Sequence, residues 1–198
     1  MPQLLSIDNP VEKRKVATVV VNAVNLADAM GLFPRDGNLD AQTVENLLTH
    51  LHRAGIGQGI EIDATDGESM LLSLMRLNSA LEASPAPEFE WVRMEQVLGL
   101  DLLAKLVGIS TVSIRRYLAK TRTTPDDVAA RLHVLSLIVG DLNGAYNDAG
   151  IRQWFQRRRT QLDGKSPMEL LVGAWRPDDE IVARLRALSG ALVASPAT

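Results

Sequence analysis

Two short apolar segments joined by a glycine occupy residues 99–120, and their spacing constrains the fold more than any other feature. Gly108 tolerates a left-handed backbone, and the small residue Ala104 precedes it by four positions. Helices that cross steeply need a small residue where they approach, a turn of this kind and apolar contacts from both sides. The apolar residues at the expected positions are Leu103, Val107, Ile109, Ile114 and Leu118. The segment is therefore predicted to form a helix-turn-helix.

The second helix of this pair is predicted to present a polar and basic face. Hydroxyl groups can bond to phosphates or base edges, and arginine can bind a guanine edge or a phosphate through two donors. Taken alone, Arg115 and Arg116 would favour a solvated helix face. Their position on the outward side of the second helix favours contact with double-stranded DNA. The candidate DNA-binding residues are Ser110, Thr111, Ser113, Arg115, Arg116, Lys120 and Arg122.

The charge distribution supports this choice, although the net charge of −3 is unfavourable for binding a polyanion. Residues 1–100 carry seven basic and fourteen acidic side chains, a balance of −7. Residues 101–165 carry eleven basic and six acidic side chains, a balance of +5. A basic segment behind an acidic one indicates where a nucleic acid would bind.

The rest of the chain is also expected to be helical, which gives a mainly α fold class. Leu, Ala and Val dominate, and aromatic residues make up only 4%. A helix is predicted with Asn9 as its cap, Pro10 at its first position and Gly31 after its end, with a strand over 19–21 as the alternative. Further helices are predicted from about Asp40, over 67–83, and after a start at 124–127 with Thr124 as a capping residue. A short strand over 60–62 is left open.

The chain is predicted to contain three regions. A Pro-containing acidic connector over 84–90 separates an acidic helical N-terminal domain, residues 1–86, from the helix-turn-helix region, residues 90–147. A small helical C-terminal domain, residues 148–198, follows. There, Ser166, Pro167 and Glu169 match a capping box at a helix start. Trp154 and Phe155 are expected in the core, because a chain poor in aromatic residues tends to bury them.

The C-terminal region resembles a known family. The run Gly150-Ile-Arg-Gln-Trp-Phe, followed by Leu162-Asp-Gly-Lys-Ser-Pro-Met-Glu-Leu-Leu, resembles the toxin-binding domain of Xre/MbcA/ParS-type antitoxins. The helix-turn-helix resembles the Xre-like half of the same proteins, so the resemblance covers about residues 90–195. It implies a protein that represses its own operon and neutralises a partner toxin, often one with a RES fold that destroys NAD.

The toxin-binding surface implied by the resemblance lies between residue 150 and the end of the chain. Its candidate residues are Arg157, Arg158, Arg159, Leu170, Leu171 and Trp175. The three arginines are equally compatible with a solvated face, a phosphate-binding patch or an anchor for an acidic toxin surface. The tail after Leu192 is expected to be flexible, and truncation after Arg176 is expected to leave the helix-turn-helix intact.

Two alternatives remain, because the first 85 or so residues lie outside the resemblance. One is a stand-alone transcriptional regulator whose N-terminal domain senses a ligand or dimerises, and the other is an adaptor that binds only protein. A homodimer on an inverted repeat is expected if the helix-turn-helix binds DNA, since two half-sites raise its affinity.

An enzyme, a cofactor and a metal site are not expected. The chain has no cysteine, so disulfides and thiolate chemistry are excluded. His50 and His52 are two positions apart and point in different directions on a helix, whereas His133 fits a buried, hydrogen-bonded core position. The amino terminus lacks the order of a secretory signal, and no apolar run is long enough for a membrane span. A cytoplasmic protein is therefore expected.

Overall fold

The computed structural model describes residues 9–34, 41–63 and 66–194. Within them the chain forms ten α-helices, one 3-10 turn at Thr160–Leu162 and no β-strand, which confirms the mainly α fold class. The helices are α1 Pro10–Ala29, α2 Ala41–Arg53, α3 Gly67–Glu82, α4 Pro87–Leu98, α5 Leu100–Val107, α6 Thr111–Leu118, α7 Asp126–Leu142, α8 Asp148–Gln156, α9 Pro167–Leu170 and α10 Glu180–Ala194.

The start and end signals of α1 act as predicted. The Asn9 side chain accepts a hydrogen bond from the Val11 N–H at 3.0 Å, and Pro10 is the first helical residue. Gly31 follows the helix with φ of 72°. The strand alternative over 19–21 is wrong, because α1 runs through these residues, and 60–62 form no strand. The start predicted near Asp40 lies outside the described residues.

The first three helices share one apolar core. α1 lies against α3, with α2 beside it, and residues such as Val20, Leu47 and Leu77 are buried between them. The second core is built around α7, which is packed by α1, α4 and α10. α7 is therefore buried along most of its length, including Leu135 and Ile138.

The predicted connector over 84–90 is shorter than expected. Residues 87–90 form the first turn of α4, because Pro87 suits a helix start and Glu90 is drawn into the interior. Thr124 also differs from its prediction as a capping residue. Its hydroxyl oxygen accepts a hydrogen bond from the Trp91 indole at 2.9 Å, and α7 begins at Asp126 without a side-chain cap.

Polar contacts fasten the end of α1 to the second core. Arg93 on α4 forms an ion pair with Asp28 at 2.8 Å. The Asn143 side chain donates to the Asn25 carbonyl oxygen at 3.3 Å and to Asp28 at 3.1 Å. These bonds join α1 to α4 and to the end of α7, so the N-terminal helices pack directly against the helices that support residues 99–120.

A buried histidine–carboxylate pair ties α7 to α3 and α4. His133 Nδ1 lies 2.6 Å from Glu90 Oε1, and His133 Nε2 lies 2.9 Å from the Glu82 carbonyl oxygen. Both side chains are almost fully enclosed, which confirms His133 as a hydrogen-bonded core residue. Burial lowers the pKa of His133, but the hydrogen bond and the charge of Glu90 outweigh it and raise that pKa above its ordinary value.

The raised pKa makes stability depend on pH. A group whose pKa is higher in the folded than in the unfolded state stabilises fully below its unfolded pKa of 6.5 and loses this effect as pH rises through the folded pKa. We expect the free energy of unfolding to fall above about pH 6.5, by at most about 1.4 kcal/mol per pH unit. Urea unfolding across this range tests the claim. His133→Gln should lack the decline, and an identical decline in both proteins would contradict it.

Candidate nucleic-acid interface

α5 and α6 are two helices joined by a turn at Gly108, the order of elements predicted for residues 99–120. Gly108 adopts φ of 77° and ψ of 34°, the left-handed conformation expected of the turn residue. The Ala104 carbonyl oxygen accepts hydrogen bonds from the N–H groups of Gly108 and Ile109 at 3.0 and 3.1 Å. Ser110 then caps α6 by accepting from the Ser113 N–H at 3.2 Å. The turn is thus closed on both sides by local hydrogen bonds.

The inner face of the pair is packed as predicted. Leu103, Val107 and Ile114 are fully buried, and Ile109 and Leu118 are half-buried against the same core. Sequence reasoning missed Tyr117, which is buried and stacks on Trp91 with ring centroids 5.3 Å apart. Its position three residues after Ile114 is the helical spacing that would have placed it on the inner face.

The outer face of α6 is basic at its centre and apolar near its start. Arg115 and Arg116 are exposed, whereas Thr111 and Ser113 are half-buried. The hydroxyl groups of Ser110 and Ser113 lie 3.1 Å apart and take part in the helix cap. Val112, which sequence reasoning did not single out, is 52% exposed. The outer face of α6 therefore exposes two arginines and one apolar side chain to solvent.

The chain beyond α6 extends this basic surface. Lys120 is exposed with φ of 54°, and the exposed Arg122 lies over the Tyr117 ring at 5.8 Å. Lys105 is exposed on α5. From residue 99 to residue 123 five basic side chains stand against one acidic one, Asp101. A surface of this composition attracts phosphate groups.

The C-terminal region contributes contacts directly behind the turn. The Trp175 indole N–H donates to the Leu106 carbonyl oxygen at 2.7 Å. Arg131 Nε on α7 donates to the Val107 carbonyl oxygen at 2.9 Å. A Cβ atom placed on Gly108 would collide with the carbonyl oxygen of Gly173. The residues that follow α9 thus lie against the end of α5.

Two candidate partner-binding residues are wrong for a contact surface. Leu171 is 1% exposed and Trp175 is 5% exposed, and both belong to the core that supports α5 and α6. The reason is that α9 has only four residues, so the chain turns inward immediately after it. Leu170 is half-buried against the same core. The capping box at Ser166 is confirmed.

The three consecutive arginines have three different environments. Arg157 is exposed, and Arg158 forms an exposed ion pair with Glu169 at 2.8 Å. Arg159 lies over the Trp154 ring at 5.0 Å, and burial lowers the pKa of its guanidinium group. Trp154 and Phe155 are buried as predicted. The three side chains therefore do not share one uniform face, and Arg157 and Arg158 are the accessible members.

α10 adds buried residues to the core at the end of the described chain. α10 continues to Ala194, and residues 195–198 of the predicted flexible tail lie outside the described residues. Val182 and Leu185 of α10 are buried in the core behind the helix-turn-helix. Truncation after Arg176 would remove both, so we now expect it to weaken the core behind the helix-turn-helix instead of leaving it intact.

The histidines and acidic residues form no metal cluster in the part of the chain that the structure describes. His50 Nδ1 lies 2.8 Å from the Asn46 carbonyl oxygen, and His52 Nε2 lies 3.0 Å from that of Gly57. Across residues 9–34, 41–63 and 66–194, no helix combines the length and apolar character needed to cross a membrane.

Comparison with known proteins identifies no relative of the chain. No protein-family model, no curated protein and no solved structure matches the chain. The function of the chain is therefore inferred from the sequence resemblance and from the surface of α6.

The turn residue provides a direct test of this geometry. Gly108→Ala should destabilise the protein by about 2–5 kcal/mol, because a left-handed alanine is strained and its Cβ strikes the Gly173 carbonyl oxygen. Gly164 has φ of 76° but open space around it, so Gly164→Ala should cost only about 1–2 kcal/mol. Urea unfolding of the two variants measures the difference. Equal destabilisation would show that the Gly173 contact is unimportant.

Proposed function

We propose that the protein is a DNA-binding repressor that reads its operator through α6. The observation that supports this best is the contrast between the two faces of α6. Its inner face is fixed in the core by Ile114 and Tyr117, whereas its outer face presents Arg115 and Arg116 to solvent. A rigid helix with outward arginines fits the major groove of DNA.

The side chains have distinct roles in this proposal. Arg115 and Arg116 bind guanine edges or phosphates, and Val112 packs against a thymine methyl group. Lys120 and Arg122 bind the phosphate backbone and make the affinity dependent on salt. A homodimer would place two copies of α6 in successive major grooves, about 34 Å apart on an inverted repeat.

DNA binding is tested with two double variants of equal charge. Arg115→Ala with Arg116→Ala should weaken binding to DNA from upstream of the coding sequence by about 1–3 kcal/mol for each arginine that binds a base. Arg14→Ala with Arg53→Ala removes two exposed arginines from α1 and α2 and should bind as the wild type does. Fluorescence anisotropy at several salt concentrations measures the affinities. Unchanged binding by the first variant, or equal weakening in both, would contradict the proposal.

We propose further that the protein neutralises a partner toxin, as the resemblance over residues 90–195 implies. With Leu171 and Trp175 buried, the accessible candidates are Arg157 and Arg158, together with Val172, which is 70% exposed beside α9. The N-terminal helices favour the alternative of a stand-alone regulator that dimerises, because Leu72 and Met75 form an exposed apolar patch on α3.

Growth rescue separates these two possibilities. If the product of a neighbouring gene is a toxin, full-length protein should restore growth. A variant with Arg157→Ala, Arg158→Ala and Val172→Ala should restore less growth at matched expression, because it lacks the proposed toxin contacts. The three side chains are exposed, so their replacement should leave the core unchanged. The Arg14→Ala, Arg53→Ala variant is the control. Full rescue by the triple variant would move the toxin-binding surface elsewhere, and the absence of a neighbouring toxin would favour the stand-alone regulator.

A further inference from the structure

We propose that Trp175 is a positioning residue for DNA recognition, which it serves by holding the turn between α5 and α6 in place. This inference rests on the proposed DNA-binding function of α6. Trp175 is buried in the core behind the turn, and it lies 69 residues after the backbone group to which it bonds. Its effect on DNA binding would therefore pass through the backbone of the helix-turn-helix.

Carbonyl groups at the end of α5 accept hydrogen bonds from side chains outside the helix. The last carbonyl groups of a helix have no partner within the helix and must find one elsewhere. The Ala104 carbonyl oxygen is used by the turn itself, and that of Val107 accepts from Arg131. The Leu106 carbonyl oxygen accepts from the Trp175 indole at 2.7 Å. Loss of the indole N–H leaves this oxygen without that donor, which weakens the end of α5.

The backbone of Gly173 packs directly against the backbone of Gly108. The Gly173 carbonyl group lies so close to Gly108 that no side chain fits between them. Leu171 and Trp175, on either side of Gly173, are both anchored in the core. The segment 171–175 therefore packs against the turn and is itself held in the core at both ends. Trp175 contributes one of these buried ends and also the hydrogen bond to α5.

The turn leads directly into α6, whose outward face is the proposed DNA-contacting surface. α6 begins three residues after Gly108, so its direction is set by the conformation of the turn. The far end of α6 is held separately by the stacking of Tyr117 on Trp91. Release of the turn would let the start of α6, with Val112, move relative to that fixed end. Base contacts require side chains held within fractions of an ångström. Movement of α6 would reduce the fraction of molecules in the binding arrangement, and the apparent affinity for DNA would fall with that fraction.

The test compares two tryptophans of the same core. Trp175→Phe should weaken DNA binding by about three- to tenfold and speed amide hydrogen exchange at Gly108 and Ile109, whose N–H groups close the turn. Trp154 is buried at 2% exposure and meets Arg159 through its ring face. Trp154→Phe should lower global stability yet leave DNA affinity and turn exchange near wild-type values.

The outcomes distinguish this proposal from the function on which it rests. Wild-type affinity in Trp175→Phe, together with weaker binding by the Arg115, Arg116 variant, would overturn the positioning role alone. An equal decrease of affinity in both tryptophan variants would also overturn it. A wild-type protein that does not bind the upstream DNA would overturn the proposed function. If Trp175→Phe does not fold, benzothienylalanine at position 175 keeps the bicyclic ring, lacks the N–H and should give the same two effects.

Discussion

The left-handed turn at Gly108, with the Gly173 backbone lying on it, is the contact on which the rest of the proposed interface depends. A glycine is required there twice, once for its positive φ and once because the neighbouring backbone leaves no room for a side chain. Because the turn sets the direction of α6, it also sets where Arg115 and Arg116 point. The direction of α6 thus depends on packing by Gly173, which follows α6 by about sixty residues in the sequence.

α7 gives the turn a rigid support. It is packed by α1, α4 and α10, and it sends Arg131 to the end of α5 and His133 to the Glu90 carboxylate. The His133–Glu90 pair and the Arg93–Asp28 pair bind α3, α4 and α1 to the same support. Stability of the N-terminal helices and placement of α6 are therefore linked through α7.

Local sequence signals predicted the elements that depend only on local chemistry. The turn at Gly108, the Asn9 cap and the Ser166 capping box each involve neighbours within a few residues, and all three are confirmed. The errors came from contacts that are distant in sequence. Thr124 bonds to Trp91 instead of capping α7, and Trp175 is buried against Leu106 instead of facing a partner. Helical spacing alone does not show which neighbour a helix face meets, so buried and exposed apolar residues look the same in the sequence.

Contact between DNA and the outward face of α6 can be observed by backbone NMR of the protein titrated with operator-length duplex. A duplex of about two helical turns taken from upstream of the coding sequence is the probe. If α6 binds DNA, we expect the largest chemical-shift changes in α6, from Thr111 to Leu118, and at Lys120 and Arg122, with smaller changes in α1 to α3. Largest changes in α1 to α3, or no change on adding DNA, would contradict it.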